Sequence, residues 1–455
     1  MEKQPVQTGQ KVELTITGYS HSGEGVGKYE GFTLFVPFAV LGERVLAQVE
    51  AVKKNHGRAR MVEVIRPSPE RSAPPCGVFG KCGGCQLQHV SYAEQLRMKE
   101  RQVRDSFFRI GRMEEVMIHP VIGMDHPWGY RNKAQVPFGM EGGKVVAGFY
   151  APKSHRIVDT DACLIQHPLN DRVIRKVKQL ARRLNTPIYD ERNHCGILRH
   201  VMVRTGFHTG ECMVVLVTNG ENLPRRQQWV EELRREIPGL KSVVQNVNPR
   251  RTNVILGPEN RLLWGRKVIY DRIGDVVFAI SPNSFFQVNP VQTKVLYDQV
   301  AKYAALTGVE TVIDAYCGIG TIALYLARRA KRVYGVDVVG AAIRDAKQNA
   351  ALNGMGHVTF EEGAAEEVMP RWHREGIRPD VIVLDPPRKG CDPALLETAA
   401  SMKPGRIVYV SCNPATLARD AKYLSELGYR VREVQPVDMF PQTGHVECCA
   451  LLEPK

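Results

Sequence analysis

No stretch of about 18 apolar residues occurs anywhere in this chain of 455 residues, so nothing in it reads as a membrane-spanning helix. The first ten residues, MEKQPVQTGQ, lack the apolar core of a secretory signal. These two absences give the expectation of a cytoplasmic protein with no membrane partner. Internal repeats and low-complexity tracts are missing as well, and the length exceeds one ordinary core, which implies two to four domains. Acidic residues are in deficit: 48 Asp and Glu against 62 Lys and Arg leave a net charge of +14, a balance suited to a polyanionic partner. Cysteine is not scarce. Eleven in a chain of this length and compartment exclude a disulfide framework and point to metal, redox or catalytic use of some of them.

Residues 1–67 alternate apolar and polar in the runs VELTITGYS, EGFTLFVPFAV, ERVLAQVEAV and RARMVEVIRP, separated by glycine-rich turns such as HSGEGVGKYEG. The pattern predicts a small OB-like β-barrel. Lys53, Lys54, His56, Arg58 and Arg60 gather in its last turn and strand. Barrels of this kind carry single-stranded nucleic acid or serve as plain docking modules. The proline-rich segment Pro67 to Pro75 reads as a linker. After it, CGVFGKCGGCQLQH places Cys76, Cys82 and Cys85 in a glycine-rich loop, the composition of a thiolate metal site, and Cys163 in DACLIQHP is the best-placed fourth ligand. Spacing leaves zinc and an iron-sulfur cluster both open.

Residues 94 to 119 carry the pattern of one long amphipathic helix rich in Arg and Lys. From Gly129 to Val247 the pattern is mixed and predicts an α+β unit with an antiparallel sheet. Arg131, Lys133, His155, Arg156, Arg199 and Arg204 recur near its strand ends, as phosphate ligands or as solvated edges that discourage strand pairing.

From about residue 285 strand and helix alternate, which predicts a doubly wound, Rossmann-like parallel sheet. Its strands end at Asp314, Asp337, Asp385 and Cys412. Gly318 and Gly320 after the first strand, with Asp337 about twenty residues on, suit an adenosine-containing cofactor, the acid binding ribose hydroxyls. A nicotinamide dinucleotide fits the glycines as well. Asp314 beside the turn and Asp385-Pro386-Pro387 would repel a pyrophosphate, however, and suit the cationic sulfonium and amino group of S-adenosylmethionine (SAM).

No aromatic follows Asp385-Pro386-Pro387, which argues against methylation of an exocyclic amine, and no Pro-Cys stands in that loop, as a cytosine C5 enzyme would have. A thiol comes one strand later, in Ser411-Cys412-Asn413-Pro414, where a strand gives way to a helix whose amino-terminus favours thiolate. Near the carboxyl end stands Glu447, in Thr443-Gly444-His445-Val446-Glu447, ahead of an apolar run. This pair suits uracil. Thiolate addition at carbon 6 turns carbon 5 into a nucleophile able to take a methyl group. A base must then remove the carbon-5 proton before the thiolate can leave.

The motifs DAYCGIGT, DPPRKG, YVSCNPATLARD and TGHVE, with SPNSFFQVNP at residues 281–290, resemble those of the RNA uracil-C5 methyltransferase family, and the amino-terminal segment resembles a TRAM domain. The resemblance implies a multidomain α/β protein in three parts. These are a TRAM barrel over 1–67, an α+β central domain carrying a metal cluster over 76–93 plus 125–284, and a SAM-dependent methyltransferase domain over 94–124 plus 285–455. By the same resemblance Gln287, Tyr316, Asp337 and Asp385 contact SAM, Cys412 is the nucleophile, Glu447 accepts the proton, and Cys76, Cys82, Cys85 and Cys163 hold a [4Fe-4S] cluster. It further implies a monomer acting on 23S ribosomal RNA, with the T-loop of transfer RNA as the alternative substrate. An RNA-binding protein with an inactive methyltransferase fold is the competing class, against which intact Cys412, Glu447 and Asp337 speak.

Overall fold

The computed structural model describes residues 5–455, so the first four residues of the expected barrel lie outside it. Five strands, β1 (Lys11–Tyr19), β2 (Gly25–Tyr29), β3 (Phe32–Val36), β4 (Arg44–Val52) and β5 (His56–Arg66), close in the order β1-β2-β3-β5-β4. Alternate residues such as Leu14, Ile16, Leu34, Val45 and Ala47 fill its interior. β2 lies within the segment read as a turn. Its inward positions are Gly25 and Gly27, so no apolar alternation marks it, and a Cβ on Gly27 would stand 2.5 Å from the Thr15 carbonyl oxygen. The proline-rich segment is likewise no free tether, because Arg71 grips both oxygens of the fully buried Glu43 carboxylate at 2.5 and 2.8 Å.

Helix α1 (Tyr92–Ser106) begins at Ser91, whose hydroxyl accepts from the Glu94 N–H. The helix expected to run to 119 ends at Ser106 instead. A wide turn over 107–111 follows, and Arg112, at a left-handed φ of 54°, closes it by donating its N–H to the Phe107 carbonyl. Met117–Ile118 (β6) then runs as an edge strand.

The central unit is a seven-stranded sheet built from β7 (Lys133–Glu141), β8 (Lys144–Tyr150), β9 (Ile157–Asp159), β10 (Leu198–Thr205), β11 (Cys212–Thr218), β12 (Leu240–Val247) and β13 (Glu259–Gly265), in the order β13-β12-β11-β10-β7-β8-β9. Helices α2 (Pro168–Arg183) and α3 (Arg226–Glu236) pack their apolar sides on it around Trp229. All its pairs are antiparallel except β11 with β12. Arg199 and Arg204 are neither phosphate ligands nor solvated edges. Both are buried, Arg199 donating to the Asn248 and Arg250 carbonyls and Arg204 to those of Pro282 and Ser284.

A hairpin of β14 (Ile269–Ile273) and β15 (Val276–Ile280) leads into the catalytic unit. There α4 (Pro290–Ala304), β16 (Thr311–Ala315), α5 (Thr321–Ala327), β17 (Arg332–Asp337), α6 (Gly340–Leu352), β18 (Val358–Glu362), α7 (Ala365–Arg374), β19 (Val381–Leu384), α8 (Pro393–Ser401), β20 (Arg406–Ser411), α9 (Pro414–Glu426), β21 (Tyr429–Val437) and β22 (Glu447–Pro454) follow in turn. The sheet order is β18-β17-β16-β19-β20-β22-β21-β6. The first five strands are parallel, as expected, but β22 returns antiparallel between β20 and β21, and β6 joins the far edge. Helices α4, α5 and α6 bury one face, while α7, α8 and α9 bury the other together with Val103 of α1 and Phe107.

That last contact is secured by charge. Lys99 of α1 meets Asp438 at 2.6 Å with both side chains fully buried, and Tyr92 donates to the same carboxylate at 2.9 Å.

Candidate active site

Four acids and a thiol converge where the parallel strands end. Antiparallel pairing of β20 with β22 ends at Ser411 opposite Cys448, so the next residues, Cys412 and Glu447, lie near one another, and the Glu447 carboxylate acts on the thiol. Asp385, just past β19, belongs to the same cluster, since the Asp385 and Glu447 carboxylates both act on the thiol. Cys412 is partly exposed and Glu447 only 6% exposed. Glu447 is thus no surface carboxylate.

Burial, reinforced by Glu447 and Asp385, pushes the Cys412 thiol up to about 11, and the nearby Arg388 guanidinium only partly opposes this. The expectation of a helix-stabilised thiolate is therefore overturned. Pro414 has no N–H to offer, and the Ala415 N–H is taken at 3.1 Å by the side chain of Asn413, so little of the helix end faces the sulfur. Burial likewise raises Asp385 to about 7, and burial with Asp385 raises Glu447 to about 8.

Asp314 is the most conspicuous of the acids. It is buried near the end of β16, among the described residues only the Ala323 backbone N–H approaches its carboxyl group, and burial with the Asp385 charge lifts its pKa far above the ordinary range. Asp337 is oriented by its own loops, accepting from Gly318 N–H at 3.0 Å and Val339 N–H at 2.8 Å. Among the described residues none of Asp314, Asp337, Asp385 and Glu447 is ion-paired. Carboxyl groups gathered without an ion-pairing partner, with Arg388 only partly offsetting them, suit a cationic ligand. Tyr316, at a left-handed φ of 67°, turns its hydroxyl toward Cys391. Gln287 is half-buried in the loop before α4, its carbonyl accepting from Asn132 Nδ2 at 3.0 Å. Thus the structure brings Cys412, Glu447 and Asp385 together, sets Asp337 on the glycine turn, and shows no contact joining Gln287 or Tyr316 to them. The influence of Arg388 on both Cys412 and Glu447 was not legible in the sequence, where it stood only as the residue after Asp-Pro-Pro.

Comparison with known proteins agrees with this geometry. The family model described as tRNA (Uracil-5-)-methyltransferase matches residues 262–455, and the TRAM domain model matches residues 5–62. An uncharacterized RNA methyltransferase of Halalkalibacterium halodurans is 58% identical over 457 residues, covering 100% of both chains. Another from Bacillus cereus is 52% identical over 98% of this chain and 97% of its own. The chain belongs to the RNA uracil-C5 methyltransferase family. The crystal structure of Pyrococcus abyssi tRNA (uracil-54, C5)-methyltransferase in complex with S-adenosyl-L-homocysteine superposes with a TM-score of 0.79 at 32% identity, over 97% of this chain and 100% of that one. This methyltransferase is SAM-dependent, acts on RNA, and carries a TRAM barrel.

Away from the strand ends, Cys76, Cys82, Cys85 and Cys163 all line one cavity of about 320 Å³, together with Arg131 and Lys133. The Gly84 N–H donates to Cys82 Sγ at 3.3 Å. Among the described residues no three His, Cys, Asp or Glu side chains stand close enough to hold a single ion.

Proposed function

We propose that the enzyme forms 5-methyluridine in 23S ribosomal RNA through a transient bond between Cys412 and carbon 6 of the target uracil. The observation that carries this reading is the nearness of Cys412 to the Glu447 and Asp385 carboxylates, both of which act on the thiol, just past the Ser411–Cys448 pair of β20 and β22. The partly exposed Cys412 loses its proton to solvent water and the thiolate adds to carbon 6, which leaves carbon 5 electron-rich. SAM supplies the methyl group that carbon 5 takes. Burial raises the Glu447 carboxyl to about 8, so its ionised form is a stronger base than an ordinary carboxylate, and it is that form which removes the carbon-5 proton. The ring electrons then expel the Cys412 sulfur, and the aromatic product is free. Asp314 and Asp385 would offset the positive charge of a bound donor, Asp337 would take its ribose hydroxyls, and Gln287 and Tyr316 would add to its pocket. The target base must leave its stack to reach a thiol set this deep.

The proposal includes a [4Fe-4S] cluster that Cys76, Cys82, Cys85 and Cys163 would hold, supported by the family resemblance and by the cavity that all four line, with a structural role since methyl transfer needs no electrons. This reading includes the division into a barrel over 1–67, a central domain over 76–93 plus 125–284 and a catalytic domain over 94–124 plus 285–455. It also includes cytoplasmic action by a monomer. Transfer RNA is the second substrate reading, favoured by the likeness to the archaeal tRNA enzyme. Mapping 5-methyluridine in ribosomal and transfer RNA from a strain lacking the gene tests both. Loss at 23S positions supports the first, loss in the T-loop replaces it by the second, and loss at neither overturns both.

A further inference from the structure

The loop from Asp438 to Val446 joins β21 to β22 and delivers Glu447 to the first position of β22. One residue in it is both strained and gripped. Gln442 is buried at φ 70°, a left-handed conformation that a non-glycine residue keeps only where its surroundings impose it. Its N–H donates to Gln95 Oε1 at 3.0 Å, and its own Oε1 accepts from Gln95 Nε2 at 3.0 Å. Its carbonyl accepts the N–H groups of both Gln86 and Leu87, each at 3.0 Å. Gln95 belongs to α1, and its Nε2 also donates to the Leu87 and Val90 carbonyls at 3.1 and 3.0 Å. Gln86 directly follows Cys85. Helix α1, the cysteine loop and the loop before Glu447 therefore meet at Gln442.

The rest of the loop is held from other sides. Tyr130 donates to the Pro441 carbonyl at 2.9 Å, and a Cβ on Gly444 would lie 3.2 Å from the His21 carbonyl of the barrel. Cys412 depends on none of these contacts. It sits in the turn between β20 and α9, where Asn413 caps the helix and donates to the Arg388 carbonyl at 3.2 Å.

We propose that Gln442 is a positioning residue for the proton-removal step, through which α1 and the cysteine loop hold Glu447 near Cys412. The inference rests on the reading of Cys412 as nucleophile and Glu447 as base. Releasing Gln442 loosens one partner and leaves the other in place. Cys412 still adds to carbon 6 and carbon 5 still gains its methyl group. The carbon-5 proton then stays where it is, the carbon–sulfur bond does not break, and protein remains attached to RNA.

Two variants release the grip by different routes. Gln95→Ala removes the partner on α1 and leaves the loop unaltered, while Gln442→Gly relieves the backbone and deletes the side chain. Each is incubated with radiolabelled SAM and unmethylated RNA from a strain lacking the gene, beside the parent enzyme and Glu447→Gln. Covalent adduct on denaturing gels and released methylated RNA are followed together, with SAM binding measured separately. The expected result is a rise of about tenfold in the adduct-to-product ratio for both variants, equivalent to about 1.4 kcal/mol of lost positioning, with SAM affinity unchanged. If Glu447→Gln itself traps no adduct, the assignment of the base fails. If Glu447→Gln traps it while Gln95→Ala lowers adduct and product in step, the role of Gln442 is overturned. Should Gln442→Gly fail to fold, Gln95→Ala alone decides.

Discussion

Replacing Glu447 by glutamine is expected to stabilise the protein while it stops turnover. Burial first, and then Asp385, raise the Glu447 carboxyl from 4.5 to about 8. The folded state thus keeps a proton that the unfolded chain gives up. The contribution to stability is whole below about 4.5, is lost steadily as pH rises, and reaches its floor above about 8. At about 1.36 kcal/mol per pH unit, the loss at neutral pH comes to about 3 kcal/mol. Glutamine is nearly the same shape and neutral in both states, so it escapes that loss. Glu447→Gln should therefore exceed the parent in stability by about 2–3 kcal/mol near pH 7, with the gap closing toward pH 5. Urea unfolding of parent and variant at several pH values, read by tryptophan fluorescence, measures the difference. A variant less stable than the parent at pH 7, or a gap that does not change with pH, would refute the claim that this carboxyl is held protonated by its surroundings.

Three further outcomes are expected. Alkylation of Cys412 in the free enzyme should be slow at neutral pH and quicken about tenfold per pH unit toward 11, slower still in Arg388→Gln; mass-spectrometric rates flat across that range would contradict a buried thiol flanked by acids. Asp438→Asn strands the Lys99 ammonium in the interior and should cost about 3–5 kcal/mol, seen as a lower unfolding midpoint, whereas a loss under 1 kcal/mol would show the pair to be incidental. Anaerobically purified protein should show a broad visible band with stoichiometric iron, lost in Cys85→Ser, and colourless zinc protein would replace the cluster by another metal.

The parallel half of the catalytic sheet was legible because each of its strands is an apolar run ending in an acid, a glycine turn or the thiol: Asp314, Asp337, Asp385 and Cys412 all stand at strand ends. The barrel was legible by alternation except at β2, whose inward positions hold glycine. Helical periodicity overran the true end of α1, since it does not register the reversal at Arg112. What no local pattern could supply was the return of β22 between β20 and β21, the arrangement that brings Glu447 near Cys412. The direction of the thiol's pKa was misjudged for a related reason. The sequence displays a helix start beside the sulfur, but the acids that outweigh it arrive from β19 and β22.

The ion pair between Lys99 and Asp438 spans 339 residues of chain. During synthesis at ~5–20 residues per second, the lysine is made roughly 17–70 s before its carboxylate exists. Through that interval α1 has no way to sink its amine into the protein and must wait at the surface while the central sheet takes shape beside it. A loop made 339 residues later therefore completes the seat of this helix, and a chain cut short before residue 438 lacks the carboxylate against which α1 buries its lysine.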